Sequence, residues 1–390
     1  MNTLARVEAE YKRIYPGQPL LVRSPGRVNL IGEHTDYNEG YVLPAAIDKS
    51  MYFAIAPRTD NVCSVHALDM NDSHEFSTGS QCHSPKHWPD YLMGVVDQFV
   101  KGSFPIGGFN CVFGGDIPIG AGLSSSAALE AGLAFALNAI FDSGIDDLSL
   151  VKLAQKAENE FVGVRCGIMD QYINIFGRQG IVLRIDCRSL DHQKYAFDYP
   201  VAIVLFDTRV SHSLASSEYN KRRMECSEGV AVIRKKYPGV THLRDVSVSM
   251  LAEFQGSMSE TVYQRCLYVV EEIDRLLRAC EALERRDLDT FGRHMYETHA
   301  GLSLKYGVSC PELDYLVELV QGRAGVYGAR MMGGGFGGCT INLVEKDALE
   351  DLSALVGEHY GKRFGTEPRR YITSVAPGTR TVTVHDSAEH

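Results

Sequence analysis

A glycine-rich turn that leads straight into a helix constrains the fold of this chain more than any other segment. It reads GGDIPIGAGLSSSAALEAGLAFA. Gly120 and Gly122 allow a tight turn and a close approach of the backbone to a ligand. Three serines follow at positions 124–126, where helix caps are expected. Because unpaired amides at a helix N-terminus bind phosphate, the segment predicts either a phosphate-binding loop or simply a serine-capped helix.

Several common nucleotide-binding motifs are missing from the sequence. There is no GxxxxGK[ST], so the turn is not a Walker loop, and there is no HRD or DFG of a protein kinase. A second cluster, MMGGGFGGCTI, contains a literal GxGxxG at Gly333, Gly335 and Gly338. It runs into a predicted strand, whereas a dinucleotide fingerprint must open a helix. The missing helix excludes a dehydrogenase that uses this cluster. We expect the cluster to shape the wall of a cleft without a direct catalytic role.

A dense polar stretch, GRVNLIGEHTDYNEGYVLP, occupies residues 26–44. It places Arg27, Glu33, His34 and Asp36 within ten residues. Ionisable groups this dense are unusual in a plain core strand or a simple solvent loop, which indicates a site for a small polar ligand. The alternative interpretation of Glu33 and His34 is a structural ion pair.

Length and composition limit the class of protein. A chain of 390 residues predicts two or three domains, and a net charge of -10 argues against nucleic acid as the main partner. Ten cysteines without any CxxC predict reduced, mostly buried thiols rather than a zinc site. Neither a signal peptide nor an apolar run of about 18 residues is present. We therefore expect a cytoplasmic protein with no membrane partner.

Periodicity predicts a mixed α and β fold without strict alternation, which indicates an α+β class. Strands are predicted at PLLVRSP, MYFAIAP, NVCSVHALD, GIVLRIDC, PVAIVLFDT, CTINLVE and RRYITSV. Helices are predicted at DYLMGVVDQFVK, SSAALEAGLAFALNAIF, SLVKLAQKAENEFVGV, GIMDQYINIFG and CPELDYLVELVQG, with long charged helices over 216–237 and 261–287. The change in character near residue 200 predicts two domains, 1–200 and 201–390.

The segments GRVNLIGEHTDY, GDIPIGAGLSSSAA and MMGGGFGGCTI together resemble those of the small-molecule kinase superfamily that includes galactokinase, homoserine kinase and mevalonate kinase. The first segment resembles the galactokinase signature, and CGIMDQY and HSLASSEYNKRR are also similar to galactokinase segments. Many relatives have APGR where this chain has SPGR, a change that puts no catalytic residue in doubt. The resemblance runs from about Arg23 to about Val344.

The resemblance implies an α+β architecture with the active site in a cleft between two domains. The N-terminal domain would have the fold shared with a ribosomal protein, and the C-terminal domain would be ferredoxin-like. The implied reaction is transfer of a phosphoryl group from ATP to the C1 hydroxyl of α-D-galactose with magnesium, giving galactose 1-phosphate and ADP. The implied substrates are thus galactose and ATP, and we expect a monomer.

The resemblance also implies roles for individual residues. The implied sugar ligands are Glu33, His34, Asp36, Gly167, Asp170 and Tyr219. Arg27 and Asp170 would form the catalytic pair, although 143 residues separate them. Asp170 would either take the proton from the C1 hydroxyl or mainly position that hydroxyl, since a loose transition state needs little activation of the nucleophile.

Nucleotide and metal positions follow from the same resemblance. The implied phosphate loop consists of Gly120, Ala121, Gly122, Leu123, Ser124, Ser125 and Ser126. Ser126 and Glu158 would hold magnesium, whereas the plain interpretation of Glu158 is an exposed helix residue. Trp88 and Tyr91 would lie near the adenine, with core packing as their alternative role.

Two rival functions remain open. One is a kinase of the same class that acts on another sugar, such as N-acetylgalactosamine or arabinose. The other is a catalytically inactive galactose sensor, whose relatives are altered in the serine-alanine part of the phosphate loop. Because Ser126 and Ala127 are both present here, the sequence favours the enzyme.

Overall fold

The computed structural model describes residues 2–79, 82–118, 120–210 and 215–384. Helices and strands mix without strict alternation, as the α+β prediction requires. The helices are α1 (Thr3–Ile14), α2 (Trp88–Lys101), α3 (Ser125–Ile140), α4 (Asp147–Lys156), α5 (Met169–Phe176), α6 (Ala215–Arg234), α7 (Val248–Ala252), α8 (Glu260–Glu284), α9 (Leu288–Ala300), α10 (Pro311–Val320) and α11 (Leu349–Phe364). The strands are β1 (Leu20–Asn29), β2 (Tyr41–Val42), β3 (Pro44–Pro57), β4 (Val62–Ala67), β5 (Asp72–Ser77), β6 (Phe109–Gly115), β7 (Ile181–Asp186), β8 (His192–Ala196), β9 (Val201–Asp207), β10 (Val326–Met331), β11 (Cys339–Glu345), β12 (Arg369–Thr373) and β13 (Arg380–Thr381).

The first sheet is covered by helices on both faces. Its strand order is β13-β1-β3-β6-β4-β5, with every neighbouring pair antiparallel except β4 and β6. Because side chains alternate along a strand, Phe53 and Val65 face one side, where they pack with Phe99 of α2 and Leu133 of α3. Val7 of α1 packs against the opposite face. The sheet is therefore a buried platform for α3, the helix that follows the glycine-serine turn.

The second sheet is antiparallel, with strand order β10-β11-β9-β12. Strand β9 is apolar on both faces. Val204 and Phe206 pack with α10 and α11, while Ile203 and Leu205 face a core that includes α8 and α9. That core also contains Val28 of β1. A three-stranded sheet, β2-β7-β8, contacts β3 and α8. One continuous core thus joins the N-terminal and C-terminal parts of the chain.

The C-terminal segment returns to the first sheet. The Ala376 amide donates to the Ala46 carbonyl over 2.9 Å, and the Thr379 amide donates to the Asn174 carbonyl over 2.7 Å. Strand β13 then pairs with β1. The second sheet begins at Val201. The domain boundary near residue 200 stays a prediction. Residues after 375 contact the first sheet, although they follow that boundary in the sequence.

Most predicted helices and strands are confirmed, and one helix departs from the prediction. The segment SLVKLAQKAENEFVGV is α-helical only to Lys156 and continues as a wider π-helical turn, Ala157–Val162. Of the resemblance segment HSLASSEYNKRR, residues 212–214 lie outside the described residues. All ten cysteines are free, and seven of them are buried, as predicted. Within the described residues, no helix is long and apolar enough to cross a bilayer.

Candidate active site

A cavity of about 500 Å³ collects most of the polar residues singled out in the sequence. It lies where the end of β1, the loop after it, the turn before α5, the start of α6 and the second glycine cluster meet. The lining residues are Arg27, Glu33, His34, Asp36, Glu158, Gly163, Val164, Arg165, Cys166, Gly167, Met169, Asp170, Tyr219, Asn220, Gly333, Gly334 and Gly335. Every sugar ligand implied by the resemblance therefore lines this cavity. The second glycine cluster forms part of the cavity wall, as expected.

Arg27 and Asp170 form a two-pronged ion pair in this cavity. Arg27 Nε donates to Asp170 Oδ1 over 2.7 Å, and Arg27 Nη2 donates to Asp170 Oδ2 over 2.8 Å. The third guanidinium nitrogen, Nη1, donates to the Gly122 carbonyl over 2.5 Å. Arg27 follows a β-bulge in β1, and Asp170 lies in the first turn of α5. The bidentate geometry fixes the plane of the carboxylate and ties it to the glycine-serine turn.

The glycine-serine turn holds Asp170 from a second side. Gly120 and Gly122 have φ of 78° and 73°, and Ser124 is also left-handed, with φ of 57°. Ser124 makes no capping hydrogen bond, and its hydroxyl instead donates to Asp170 Oδ2. The prediction of a serine cap is therefore wrong at Ser124, because the left-handed backbone turns its side chain toward α5. This conformation is costly for a non-glycine residue and is typical of functional sites.

The apolar side chains of the glycine-serine turn are buried, so its backbone groups are what it presents to a ligand. Ala121 and Leu123 are fully buried, and the Leu123 carbonyl accepts a hydrogen bond from the Arg27 amide over 3.1 Å. Ser125 is the first residue of α3, and Ser126 follows it in the first helical turn. Free amides at the N-terminus of this 16-residue helix have the polarity that an anionic phosphate needs.

The position of the Asp36 side chain requires glycine at residue 167. A Cβ added at Gly167 would lie 1.6 Å from Asp36 Oδ2, so only glycine fits there. Asp36 begins a short 3-10 helix, and burial, with Asp170 adding its negative charge, raises the pKa of Asp36 to about 6. Asp170 and Asp36 therefore face the same small space. Arg27 compensates the negative charge of Asp170, whereas among the described residues Asp36 has no such ion pair.

Glu33 is held by a residue that the sequence analysis did not identify. Its Oε1 lies 3.1 Å from Nη1 of Arg330, which is fully buried, and accepts the Gly333 amide over 2.9 Å. Arg330 also donates to the Leu30 carbonyl over 2.8 Å. Glu33 is thus part of an ion pair, but its partner is Arg330 rather than His34. Glu33 also lines the cavity.

His34 lies in an aromatic environment. Its Nδ1 is 2.8 Å from the Tyr37 hydroxyl, and its ring centre lies 5.3 Å from that of Tyr219 and 4.9 Å from that of Tyr306. Burial lowers the pKa of His34 to about 4, which outweighs the neighbouring Glu33 carboxylate. The imidazole is therefore neutral at physiological pH, so it can donate one hydrogen bond and accept another.

The residues predicted to hold magnesium are close together. Glu158 lies on the π-helical turn and is only 6% exposed, so the prediction of an exposed helix glutamate is wrong. Its carboxylate lies next to the Ser126 side chain and accepts a hydrogen bond from Gln171 Nε2 over 2.7 Å. Burial raises the pKa of Glu158. Within the part of the chain described, no three His, Cys, Asp or Glu form a metal cage. These hard oxygens nevertheless fit magnesium, which takes one or two carboxylates together with nucleotide phosphates.

Trp88 and Tyr91 lie outside the cavity. Trp88 begins α2, and its indole nitrogen donates to Asp72 Oδ2 over 3.0 Å while the ring packs 5.7 Å from that of Phe113. Tyr91 is half-buried in the same core, and burial raises its pKa. Both rings therefore have packing roles, and the adenine contact implied for them stays a prediction.

Comparisons with known proteins identify the class of this fold. The family described as GHMP kinases N terminal domain matches residues 90–178, and GHMP kinases C terminal matches residues 271–362. The mevalonate kinase of Methanococcus jannaschii has a TM-score of 0.64 at 20% identity, covering 95% of this chain and 100% of its own, which is a likeness of fold. The fold is thus that of the GHMP small-molecule kinases.

Closer relatives narrow the class. The galactokinase galactose-binding signature matches residues 9–57. A galactokinase of Roseiflexus sp. (strain RS-1) is 43% identical over 363 residues, 93% of each chain, and one of Thermotoga maritima is 39% identical over 347 residues, 89% of this chain and 95% of its own. The crystal structure of Lactococcus lactis galactokinase complexed with galactose has a TM-score of 0.93 at 31% identity, covering 98% of this chain and 100% of its own. The chain belongs to the galactokinase family.

Proposed function

We propose that this chain transfers the γ-phosphoryl group of ATP to the C1 hydroxyl of α-D-galactose, giving galactose 1-phosphate and ADP. The observation that supports it most directly is the arginine-clamped Asp170, which lies in the polar cavity and is hydrogen-bonded to the glycine-serine turn. A sugar hydroxyl beside Asp170 and a phosphate on the turn would be next to each other, as phosphoryl transfer requires.

The sugar is recognised by residues of opposite hydrogen-bonding character. Asp36 and Glu33 accept hydrogen bonds from hydroxyls, and the neutral His34 can both donate and accept. The Tyr219 ring borders the same space. A site that hydrogen-bonds a particular hydroxyl discriminates strongly against analogues that lack that hydroxyl.

Asp170 acts as the base through its Oδ1 atom. Oδ2 accepts from both Arg27 and Ser124, whereas Oδ1 accepts one hydrogen bond, from Arg27. A carboxylate oxygen has two lone pairs, so Oδ1 can take the proton of the C1 hydroxyl as the phosphoryl group arrives. Arg27 keeps the carboxylate oriented and offsets negative charge on the transferred group.

The N-terminus of α3 and the loop before it bind the triphosphate through backbone amides and the hydroxyls of Ser125 and Ser126. Magnesium would be held by Ser126 and Glu158, and when bound it neutralises charge on the phosphates. Ten free thiols support a reducing compartment, so we infer a cytoplasmic enzyme. We also infer a monomer, which size-exclusion chromatography would test.

A coupled assay of ADP release tests the function. Magnesium-ATP is offered with galactose, N-acetylgalactosamine, glucose or arabinose, to the wild type and to Asp170→Asn. We expect turnover on galactose and a decrease in kcat of about 10²- to 10⁴-fold in the variant. A decrease of less than about tenfold would leave Asp170 only its positioning role.

Two other outcomes would contradict the proposal. Turnover on a different sugar would overturn the roles given to Glu33, His34 and Asp36 while keeping the kinase chemistry. Binding of galactose and ATP without any turnover would indicate the sensor instead. Isothermal titration with each ligand separates these cases, because it measures binding independently of catalysis.

A further inference from the structure

Glu130 is a buried carboxylate that the mechanism does not use. It lies on α3, one helical turn after Ser126, so the two side chains share a face of the helix. Glu130 is completely buried, and its Oε1 atom has no hydrogen-bond partner. A buried carboxylate oxygen without a partner loses the solvation of its negative charge, so its surroundings are expected to contain something that binds it.

The neighbourhood of Glu130 is the metal position proposed above. Gln171 Nε2 lies 2.7 Å from Glu158 Oε2 and 3.4 Å from Glu130 Oε2, so one amide bridges the two carboxylates. The Gln171 carbonyl oxygen is also buried without a partner. Over the described ranges, no arginine, lysine or histidine forms an ion pair with Glu130 or Glu158. Two adjacent buried carboxylates with no protein cation repel each other and favour a bound cation.

We propose that Glu130 supplies a second carboxylate to the divalent-cation site of Ser126 and Glu158. The inference rests on the proposed function for the presence of magnesium and adds a residue to its site. Magnesium in nucleotide sites takes one or two carboxylates, and the unpartnered Oε1 provides the second. The sequence gives little sign of this role, because Glu130 falls within an alanine-rich helical run.

A proton shared between Glu130 and Glu158 is the competing explanation. In that case Glu130 is a structural residue, and its charge is irrelevant to the metal. The two explanations differ in how the affinity for a divalent cation depends on the charge of residue 130. Glu130→Gln keeps the shape of the side chain and can still hydrogen-bond to Glu158, so it separates them.

The experiment measures Mn²⁺ binding by electron paramagnetic resonance, with saturating ADP and no sugar. We expect Glu130→Gln to weaken Mn²⁺ binding at least tenfold. The matched control is Glu160→Gln, an exposed glutamate on the same π-helical turn, which loses the same charge and is expected to bind Mn²⁺ like the wild type. Equal Mn²⁺ affinity in Glu130→Gln and the wild type would overturn the inference.

A second variant covers the case in which glutamine prevents folding. Glu130→Asp keeps the charge but withdraws the carboxylate by one methylene, and it is expected to bind Mn²⁺ more weakly than the wild type. Unchanged affinity in this variant would also overturn the inference. Failure of the proposed function is recognised separately, because it appears as absence of sugar turnover in the wild type, whatever the variants bind.

Discussion

Replacing Asp36 by asparagine is expected to make the sugar-free protein more stable at neutral pH while removing galactose binding. Burial and Asp170 raise the pKa of Asp36 from its ordinary value of 3.8 to about 6. The native state thus binds this proton more tightly than the unfolded chain does. Ionisation of Asp36 lowers the free energy of unfolding. This loss is absent below pH 3.8, grows as the pH rises toward 6, and reaches its full value above pH 6.

The magnitude follows from the shift in pKa. A change from 3.8 to about 6, at about 1.4 kcal/mol for each pH unit, makes the ionised side chain cost about 3 kcal/mol at pH 8. At pH 5 the same linkage gives about 1.6 kcal/mol. Asparagine never ionises, so the difference in free energy of unfolding between Asp36→Asn and the wild type is expected to be about 1.4 kcal/mol larger at pH 8 than at pH 5.

Urea titrations of both proteins at pH 5, 6 and 8, without sugar, measure this difference. Asp60→Asn is the control, because hydrogen bonds from Arg58 lower the pKa of Asp60 to about 2 and keep it ionised throughout. Its difference from the wild type is expected to stay constant. A stability difference for Asp36→Asn that does not change with pH, or that shrinks as the pH rises, would refute the raised pKa.

Three further substitutions test other contacts. Gly167→Ala is expected to raise the KM for galactose at least tenfold in steady-state kinetics, because the new Cβ displaces Asp36. Arg330→Met leaves Glu33 charged and buried, and is expected to lower the free energy of unfolding by about 3 to 5 kcal/mol; an unchanged urea midpoint would contradict this. Ser124→Gly tolerates the φ of 57° but loses the hydroxyl that donates to Asp170, so kcat is expected to decrease about tenfold with little loss of stability by thermal melting.

Much of the fold could be predicted because its signals are local. The continuous apolar run of β9 and the helical spacing of α8 are properties of a few consecutive residues, and both elements are confirmed. The change from α-helix to π-helical turn at Ala157 could not be predicted from consecutive residues in this way. It depends on packing against α2, where a Cβ at Gly94 would already lie 3.1 Å from the Ala157 carbonyl.

Residues alone predict the site where a motif is continuous but not where distant segments meet, and the contact of Arg27 with Asp170 was predicted only from the family resemblance. Glu33, His34 and Asp36 share one short stretch, whereas Arg27 and Asp170 come together over 143 residues. Arg330 reaches Glu33 from nearly 300 residues away, and its sequence neighbours give no sign of an ion pair. The role of Ser124 was missed because a left-handed backbone is not evident in a run of identical serines.

The pairing of β13 with β1 has a consequence for synthesis of the chain on the ribosome. Strand β1 ends at Asn29, and the residues that cover its outer edge, 380 and 381, are made roughly 350 residues later. At typical rates of elongation this interval lasts roughly 20 to 70 s. During that time the nascent N-terminal sheet has an uncovered edge strand, the kind of surface that pairs with other chains. A chaperone that shields this edge until residues 380 and 381 have been made would protect the nascent chain from such pairing.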